Sequence, residues 1–362
     1  MKLIYLTSMR YPADNGIKIY ARELAKCFSA ILKKDFLFVV ANDFSQELKN
    51  INCLNLRLKI KKFRTPFYFF WIPYFVFLSR KEEDLVFFTN DTYLLVILIF
   101  WKNFFRLPYR ICSDWHHLLY NWREKFIAQN SNALITTSNK LRGDILKISG
   151  VSGDKISTVY GGVNIDLYSG SKGMSRSVLG LPEDKIIIGY IGFFKTFGLE
   201  KGIPTMIKSL TQLPDKFLMA FVGGTDAEIK EYTEFASSLG VKEKCLFFGK
   251  KNGYEVAQYQ MAMDIIAIPY PDQPGFGYPM KVYEYMASRR PIIYSKLGLV
   301  EEVIGDCAYS FVPDDFGDFA RVVTAITDDK KVAMDNVSRA FEKVKNYTWD
   351  KKAQNIANFL KK

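Results

Sequence analysis

The sequence predicts an α/β fold of two domains, each a parallel sheet with helices on its faces. Three observations carry this. Short β-branched and aromatic runs alternate with helical stretches, the rhythm of βαβ units. The alternation breaks at a polar, glycine-rich stretch, Ser169-Gly-Ser-Lys-Gly-Met-Ser-Arg-Ser177, which reads as a linker, and resumes at Ile186. The length of 362 residues, 49% of them hydrophobic, exceeds one typical domain and suffices for two cores.

In chain order, residues 3–7 read as a buried strand and Tyr11-Pro-Ala-Asp-Asn-Gly16 as a turn. Ile17, Ala21, Leu24, Ala25 and Phe28 then mark one face of a helix over 17–32. Further strands are expected at 36–40, 85–89, 109–113, 133–136 and 155–159. The second series includes the apolar run 263–269, which suits a buried parallel strand, and the chain closes with an amphipathic helix over 353–360. The first 12 residues hold too short an apolar core for a signal peptide and read as the first strand. G-x-G-x-x-G is absent, which disfavours a nicotinamide enzyme.

Cys27, Cys53, Cys112, Cys245 and Cys307 are scattered, without a CxxC pair, so neither a disulfide framework nor a zinc site is expected and a reducing cytoplasm fits. The positive charge is concentrated at the front of the chain. Residues 1–168 carry 24 Lys plus Arg against 14 Asp plus Glu, while the remainder is nearly balanced. Within that half, Lys59, Lys61, Lys62 and Arg64 abut an aromatic stretch over 66–78. Cations for headgroups beside rings for the interface suit an anionic membrane surface, and peripheral contact is set ahead of a plain core helix for this segment. At 13 residues, broken by Pro73, it is too short to span a bilayer. The apolar run 94–100 reads as a core helix, and no nucleic-acid motif accompanies the basic segment.

The richest stretch is Pro274-Gly-Phe-Gly-Tyr-Pro-Met-Lys-Val-Tyr-Glu-Tyr-Met-Ala287. Gly275 and Gly277 can offer backbone N–H groups to an anion or a sugar hydroxyl with no Cβ in the way, and Pro279 sets the chain direction before a helix. Lys281 and Glu284 share a helical face, where the carboxylate can accept two hydrogen bonds from adjacent ribose hydroxyls. Gly-x-Gly alone would be an ordinary loop; the full string points to a phosphate and sugar site.

Pro279-x-Lys281-x-x-Glu284-Tyr-Met-Ala, followed by Pro291-Ile-Ile, resembles the C-terminal signature of retaining, nucleotide-sugar-dependent glycosyltransferases of family 4. Tyr190-Ile-Gly192 with Lys201-Gly202, Phe221-Val-Gly223-Gly224, Leu246-Phe-Phe-Gly249 and Glu302-Val-Ile-Gly-Asp306 follow in the family's order. The resemblance implies the GT-B fold: an acceptor-side domain over 1–170, a donor-binding domain over 171–346, and a terminal helix over 347–362 crossing back onto the first. It implies a nucleoside diphosphate sugar as donor, no metal, and sugar transfer with retention; the acceptor, a glycan or lipid-linked glycan of cell-envelope glycan or polysaccharide synthesis, is read instead from the basic aromatic segment.

By the same resemblance, Glu284 holds the ribose, Lys201 the diphosphate, and Gly192, Asn15 and Gly16 approach the donor or acceptor; for Asn15 and Gly16 a plain turn is an equal alternative. In Asp114-Trp115-His116-His117, Asp-x-His fits the family's reactive-site histidine on His116 better than on His117. Two departures stand out. Phe193 occupies the place of an arginine, with Lys195 as the substitute cation, and Phe276 that of the first of two glutamates, leaving sugar recognition to Asp272 or the Gly275–277 amides. A sugar-nucleotide epimerase and a non-catalytic sugar-nucleotide-binding relative are the alternatives.

Overall fold

The computed structural model describes residues 1–13, 15–58, 64–79, 84–170, 172–196, 198–273, 280–298 and 300–362, and the chain forms two compact units, Met1–Gly162 with Trp349–Lys362, and Val163–Thr348.

The first unit runs β1 (Lys2–Tyr11), α1 (Gly16–Leu32), β2 (Phe36–Asp43), β3 (Cys53–Asn55), α2 (Arg64–Leu78), β4 (Leu85–Thr89), α3 (Thr92–Phe105), β5 (Tyr109–Trp115), α4 (Trp122–Asn130), β6 (Ala133–Thr136), α5 (Asn139–Ser149) and β7 (Ile156–Thr158). Its strands form one parallel sheet in the order β3-β2-β1-β4-β5-β6-β7. Burial on both faces explains why strands such as Leu85–Thr89 are continuously apolar. Alternate residues of β1 serve opposite faces. Ile4 and Leu6 join the core under α2 to α5, whereas Tyr5 packs at about 5 Å on Phe38 and Phe88, with Phe28 of α1 closing over Phe36 and Phe88.

The second unit runs α6 (Lys172–Leu179), β8 (Ile186–Ile191), β9 (Lys195–Thr196), β10 (Leu199–Glu200), α7 (Ile203–Ser209), β11 (Phe217–Gly224), α8 (Asp226–Ser238), β12 (Cys245–Gly249), α9 (Gly253–Ala262), β13 (Ile265–Ile268), α10 (Lys281–Ala287), β14 (Ile292–Ser295), α11 (Glu301–Ile304), β15 (Tyr309–Phe311), α12 (Phe316–Asp328) and α13 (Lys330–Val344). Its parallel sheet has the order β12-β11-β8-β13-β14-β15, and β9 and β10 form a short antiparallel ribbon.

The last helix, α14 (Trp349–Leu360), belongs to the first unit and packs on α1. Trp349 meets Tyr20 edge-on at 5.4 Å, and Ala353, Ile356, Ala357 and Leu360 are buried. Burying Ile356 and Leu360 contributes about 1.5–3 kcal/mol each.

The linker reading of residues 169–177 is corrected. Residues 172–179 are helical, and the fully buried Arg176 donates to the carbonyls of Ala262, Pro182 and Lys185 and pairs with Asp264, whose carboxylate also accepts the Ile187 N–H. A guanidinium is stable in such a place only with its donors satisfied, so this arginine clamps α6 to the starts of β8 and β13. Serine and glycine content imitates a linker; the arginine was the contrary signal.

Candidate functional site

In the second unit, the site grows from the carboxyl ends of β8 and β13, where ligands bind in open parallel sheets. The buried Tyr285 of α10 locks this corner: its hydroxyl accepts the Ile191 N–H (3.0 Å) and donates to the Ile191 carbonyl (3.1 Å). That fixes the first residue of α10, Lys281, whose Nζ sits 4.0 Å from the Tyr190 ring centre and 5.7 Å from that of Tyr270. A Cβ at Gly192 would collide with this ammonium, so the glycine makes the room for it.

Lys201 reaches the same ring, its Nζ 4.9 Å from the Tyr270 ring centre. The Glu200 carboxylate accepts the N–H groups of Gly202 (2.7 Å) and Ile203 (2.9 Å), holding the turn that presents Lys201. Gly202 is required there, since at φ 85° a Cβ would strike the Pro269 carbonyl.

Burial pushes Lys281 down to about 7, with the Lys201 ammonium adding to the shift and Glu284 opposing it. Burial also lowers Lys201, to about 8, against the pull of Glu200. Two buried cations thus lie near one tyrosine ring, where a bound anion would offset the cost of burying their charge. Glu284 lies one turn along α10; burial raises its carboxyl, opposed by Gln260 and then Lys281. Gln260 Nε2 donates to Glu284 at 3.2 Å, and Tyr168 donates to Gln260 Oε1 at 2.6 Å, which orients the amide toward the carboxylate.

In the first unit, a second pocket opens at the carboxyl ends of β1, β4 and β5, lined by Ile17, Asn90, Thr92, Asp114, His116 and Glu124 among others. His116 Nε2 is 3.1 Å from Asp114 Oδ2, and its ring stands edge-on to Tyr20 at 4.4 Å. Burial would raise the Asp114 carboxyl, but His116 and Lys352 of α14 outweigh it and the net shift is downward. Burial lowers Lys352 to about 8 against the pull of Asp114; its ammonium donates to the Val159 carbonyl at 2.6 Å and lies 5.3 Å from the Tyr20 ring centre, so α14 brings a cation beside Asp114 and Tyr20.

The structure thus gathers Lys201, Lys281, Glu284 and Gly192 in one place. Lys195 is directed elsewhere: Glu231 holds its ammonium at 2.7 Å. Asn15 caps α1, its Oδ1 accepting the Lys18 N–H at 3.1 Å, and Gly16 is the first helical residue, with open space where a Cβ would stand. Asp272 is exposed. Gly275, Phe276, Gly277 and Pro279 lie outside the described residues, as do Lys59, Lys61 and Lys62. Among the described residues, no group of three or more His, Cys, Asp or Glu is arranged to hold a metal ion.

Sequence reasoning missed three residues. Gln260 gave no signal outside the fold. Lys250, directly after the Leu246-Phe-Phe-Gly249 motif, places its ammonium 5.3 Å from the Phe193 ring centre, so a cation stands beside the position where the resembled family has arginine. Asn90 lines the His116 pocket with both amide atoms buried and without a hydrogen-bond partner among the described residues. Its place just after a buried strand was the available clue.

Residues 172–343 match the model of the Glycosyl transferases group 1 family. The chain is 23% identical to an uncharacterized glycosyltransferase of Methanocaldococcus jannaschii, over 99% of this chain and 97% of that one. It is also 23% identical to a D-inositol 3-phosphate glycosyltransferase of Corynebacterium glutamicum, a match spanning 65% of this chain and 58% of the relative. Among solved structures, Anabaena HepE in complex with UDP superposes with a TM-score of 0.80 over the full length of both chains at 18% identity. The architecture is GT-B: two Rossmann-like parallel-sheet domains.

Proposed function

We propose that this protein transfers a sugar from a nucleoside diphosphate sugar to an acceptor with retention of configuration. The group 1 family match and the relatives support glycosyltransferase activity on a nucleotide-sugar donor and do not favour the epimerase or the non-catalytic reading. The observation that carries the proposal is the Lys201–Lys281 pair around Tyr270 with Glu284 one turn away, a site whose charge is balanced by a diphosphate and whose carboxylate suits ribose hydroxyls.

As the glycosidic bond breaks, negative charge grows on the leaving diphosphate, and the two ammoniums stabilise it where a glycosidase would use a proton. No metal and no enzyme nucleophile enter this scheme. HepE binds UDP, so a UDP-sugar is the donor to test first. On the acceptor side, His116 and Asn90 face the incoming hydroxyl, with Asn15 and Gly16 alongside, and a cell-envelope glycan or lipid-linked glycan is the proposed acceptor. The proposal places the protein in the cytoplasm, on the inner face of the membrane; no helix among the described residues is long and apolar enough to cross one.

The test is anomeric analysis by NMR of the product formed from an α-linked UDP-sugar and a lipid-linked glycan extract. An α-linked product with release of UDP is expected; a β-linked product rules out retention, and UDP release without any transfer rules out the acceptor class.

A further inference from the structure

The aromatic stretch over 66–78 forms part of a larger exposed aromatic surface in the first unit. On α2, Phe70 and Tyr74 are 72% and 61% exposed while Tyr68, Ile72 and Val76 are buried, so the helix has a core face and an outward aromatic face. On α3, Phe100, Phe104 and Phe105 are exposed while Leu94, Leu95, Leu98 and Ile99 fill the core. On α4, Trp122 is 73% exposed.

The three helices are neighbours. Trp101 Nε1 donates to the Phe69 carbonyl at 2.7 Å, Phe69 packs on Phe100 at 5.5 Å, and Asn103 donates to Asn130 at 3.2 Å. Between α3 and α4 lies an apolar groove of about 520 Å³ lined by Val96, Ile99, Phe100, Phe104, Trp122 and Phe126. So continuous a set of exposed rings is more than the scattered apolar residues any surface carries.

Charge selects what meets this face. Residues 64–79 and 92–110 contain no Asp or Glu. Arg106 closes α3 beside Phe104 and Phe105, and Arg123 lies 5.7 Å over the Trp122 ring. The one carboxylate on α4, Glu124, is buried in a capping box, accepting the Leu119 and Asn121 N–H groups. Two copies meeting through this face would bring arginine to arginine, whereas an anionic bilayer supplies the opposite charge and an interface that aromatic rings prefer.

We infer that the outward face of α2, α3 and α4 docks on an anionic phospholipid bilayer, with Phe100, Phe104 and Trp122 inserted at the headgroup level, Arg106 and Arg123 on lipid phosphates, and the α3–α4 groove receiving an acyl chain. This deepens the membrane-side part of the proposed function and does not depend on the donor site.

The test is vesicle flotation of the full chain with phosphatidylglycerol–phosphatidylcholine and with pure phosphatidylcholine vesicles. Binding to the anionic vesicles, at least tenfold weaker to the neutral ones, is expected. F100S/F104S/W122S and R106S/R123S should each lose at least tenfold. In wild type, brominated lipid should quench tryptophan emission, and Trp122→Phe should lose most of the quenching while still floating. Circular dichroism and stabilisation by a sugar nucleotide should be unchanged in all of these variants, so failure here is separable from failure of the donor site. No flotation, flotation unaffected by F100S/F104S/W122S, or a sedimenting dimer dissolved by Phe104→Ser would each overturn the inference.

Discussion

Sugar-nucleotide affinity should fall steeply as pH rises through 7 to 8, with protons taken up on binding. Lys281, at about 7, and Lys201, at about 8, hold their protons weakly in the free protein because burial penalises the charged forms, with Lys201 adding to the shift of Lys281 and Glu284 and Glu200 opposing. A bound diphosphate supplies the counter-charge and returns both toward ordinary lysine values. The sign follows: binding is fully supported about a pH unit or more below 7, where both are protonated, and as pH rises through 7 and then 8 a growing share of each proton must be acquired on binding. At pH 8, about 0.9 of a proton for Lys281 and about 0.5 for Lys201 would be taken up, roughly 1.4 in total. Between pH 6.5 and 9 the affinity would fall by roughly three orders of magnitude if both groups remain charged in the complex. Calorimetry in buffers of different ionisation enthalpy reads the uptake directly, and a sugar nucleotide is the right ligand because its diphosphate keeps constant charge over this range. Lys281→Met should leave about 0.5 of a proton at pH 8. Affinity constant within twofold from pH 6.5 to 9, without proton uptake, would refute the placement of the diphosphate on these lysines.

Glu284→Gln should weaken nucleotide binding by about 1.5–3 kcal/mol, the worth of hydrogen bonds to a charged group, and a 2′-deoxy analogue should show no further loss in the variant. Asn90→Leu should lower kcat/KM for transfer about tenfold or more while donor affinity and thermal stability hold, because it removes a buried amide without internal partners. Asp114→Asn should cost about 3 kcal/mol of stability by leaving the buried Lys352 uncompensated, and Asp114→Asn with Lys352→Met should recover part of it in chemical denaturation. Gly202→Ala should destabilise the second unit by more than about 1–3 kcal/mol, since φ 85° and the Pro269 carbonyl both oppose a Cβ.

Much of the fold was legible because buried parallel strands advertise themselves. Leu85–Thr89 and Ala133–Thr136 are apolar runs bounded by turns, and they appear as β4 and β6 at the expected residues. The ribbon of β9 and β10 was not legible, as two-residue strands carry no periodicity. Lys281 and Glu284 could be read from i, i+3 spacing, but the meeting of Lys281 with Lys201, eighty residues away, depends on Tyr270 and on the glycine at 192, which only the fold brings together. Lys195 was chosen by proximity in sequence to Phe193; an antiparallel ribbon and Glu231 draw its ammonium to α8, while Lys250 arrives beside Phe193 from a different strand. Asn90 carried no motif, and its unsatisfied amide is a property of packing alone.

The most direct measurement is calorimetric titration of the purified protein with UDP, GDP, ADP and their sugar conjugates, with Glu284→Ala and Lys201→Ala in parallel. The predicted result is saturable binding of one nucleotide series, lost in both variants while their circular dichroism remains that of the parent. Absence of binding by every nucleotide, or binding untouched by either substitution, would contradict a donor site built from Lys201, Lys281 and Glu284.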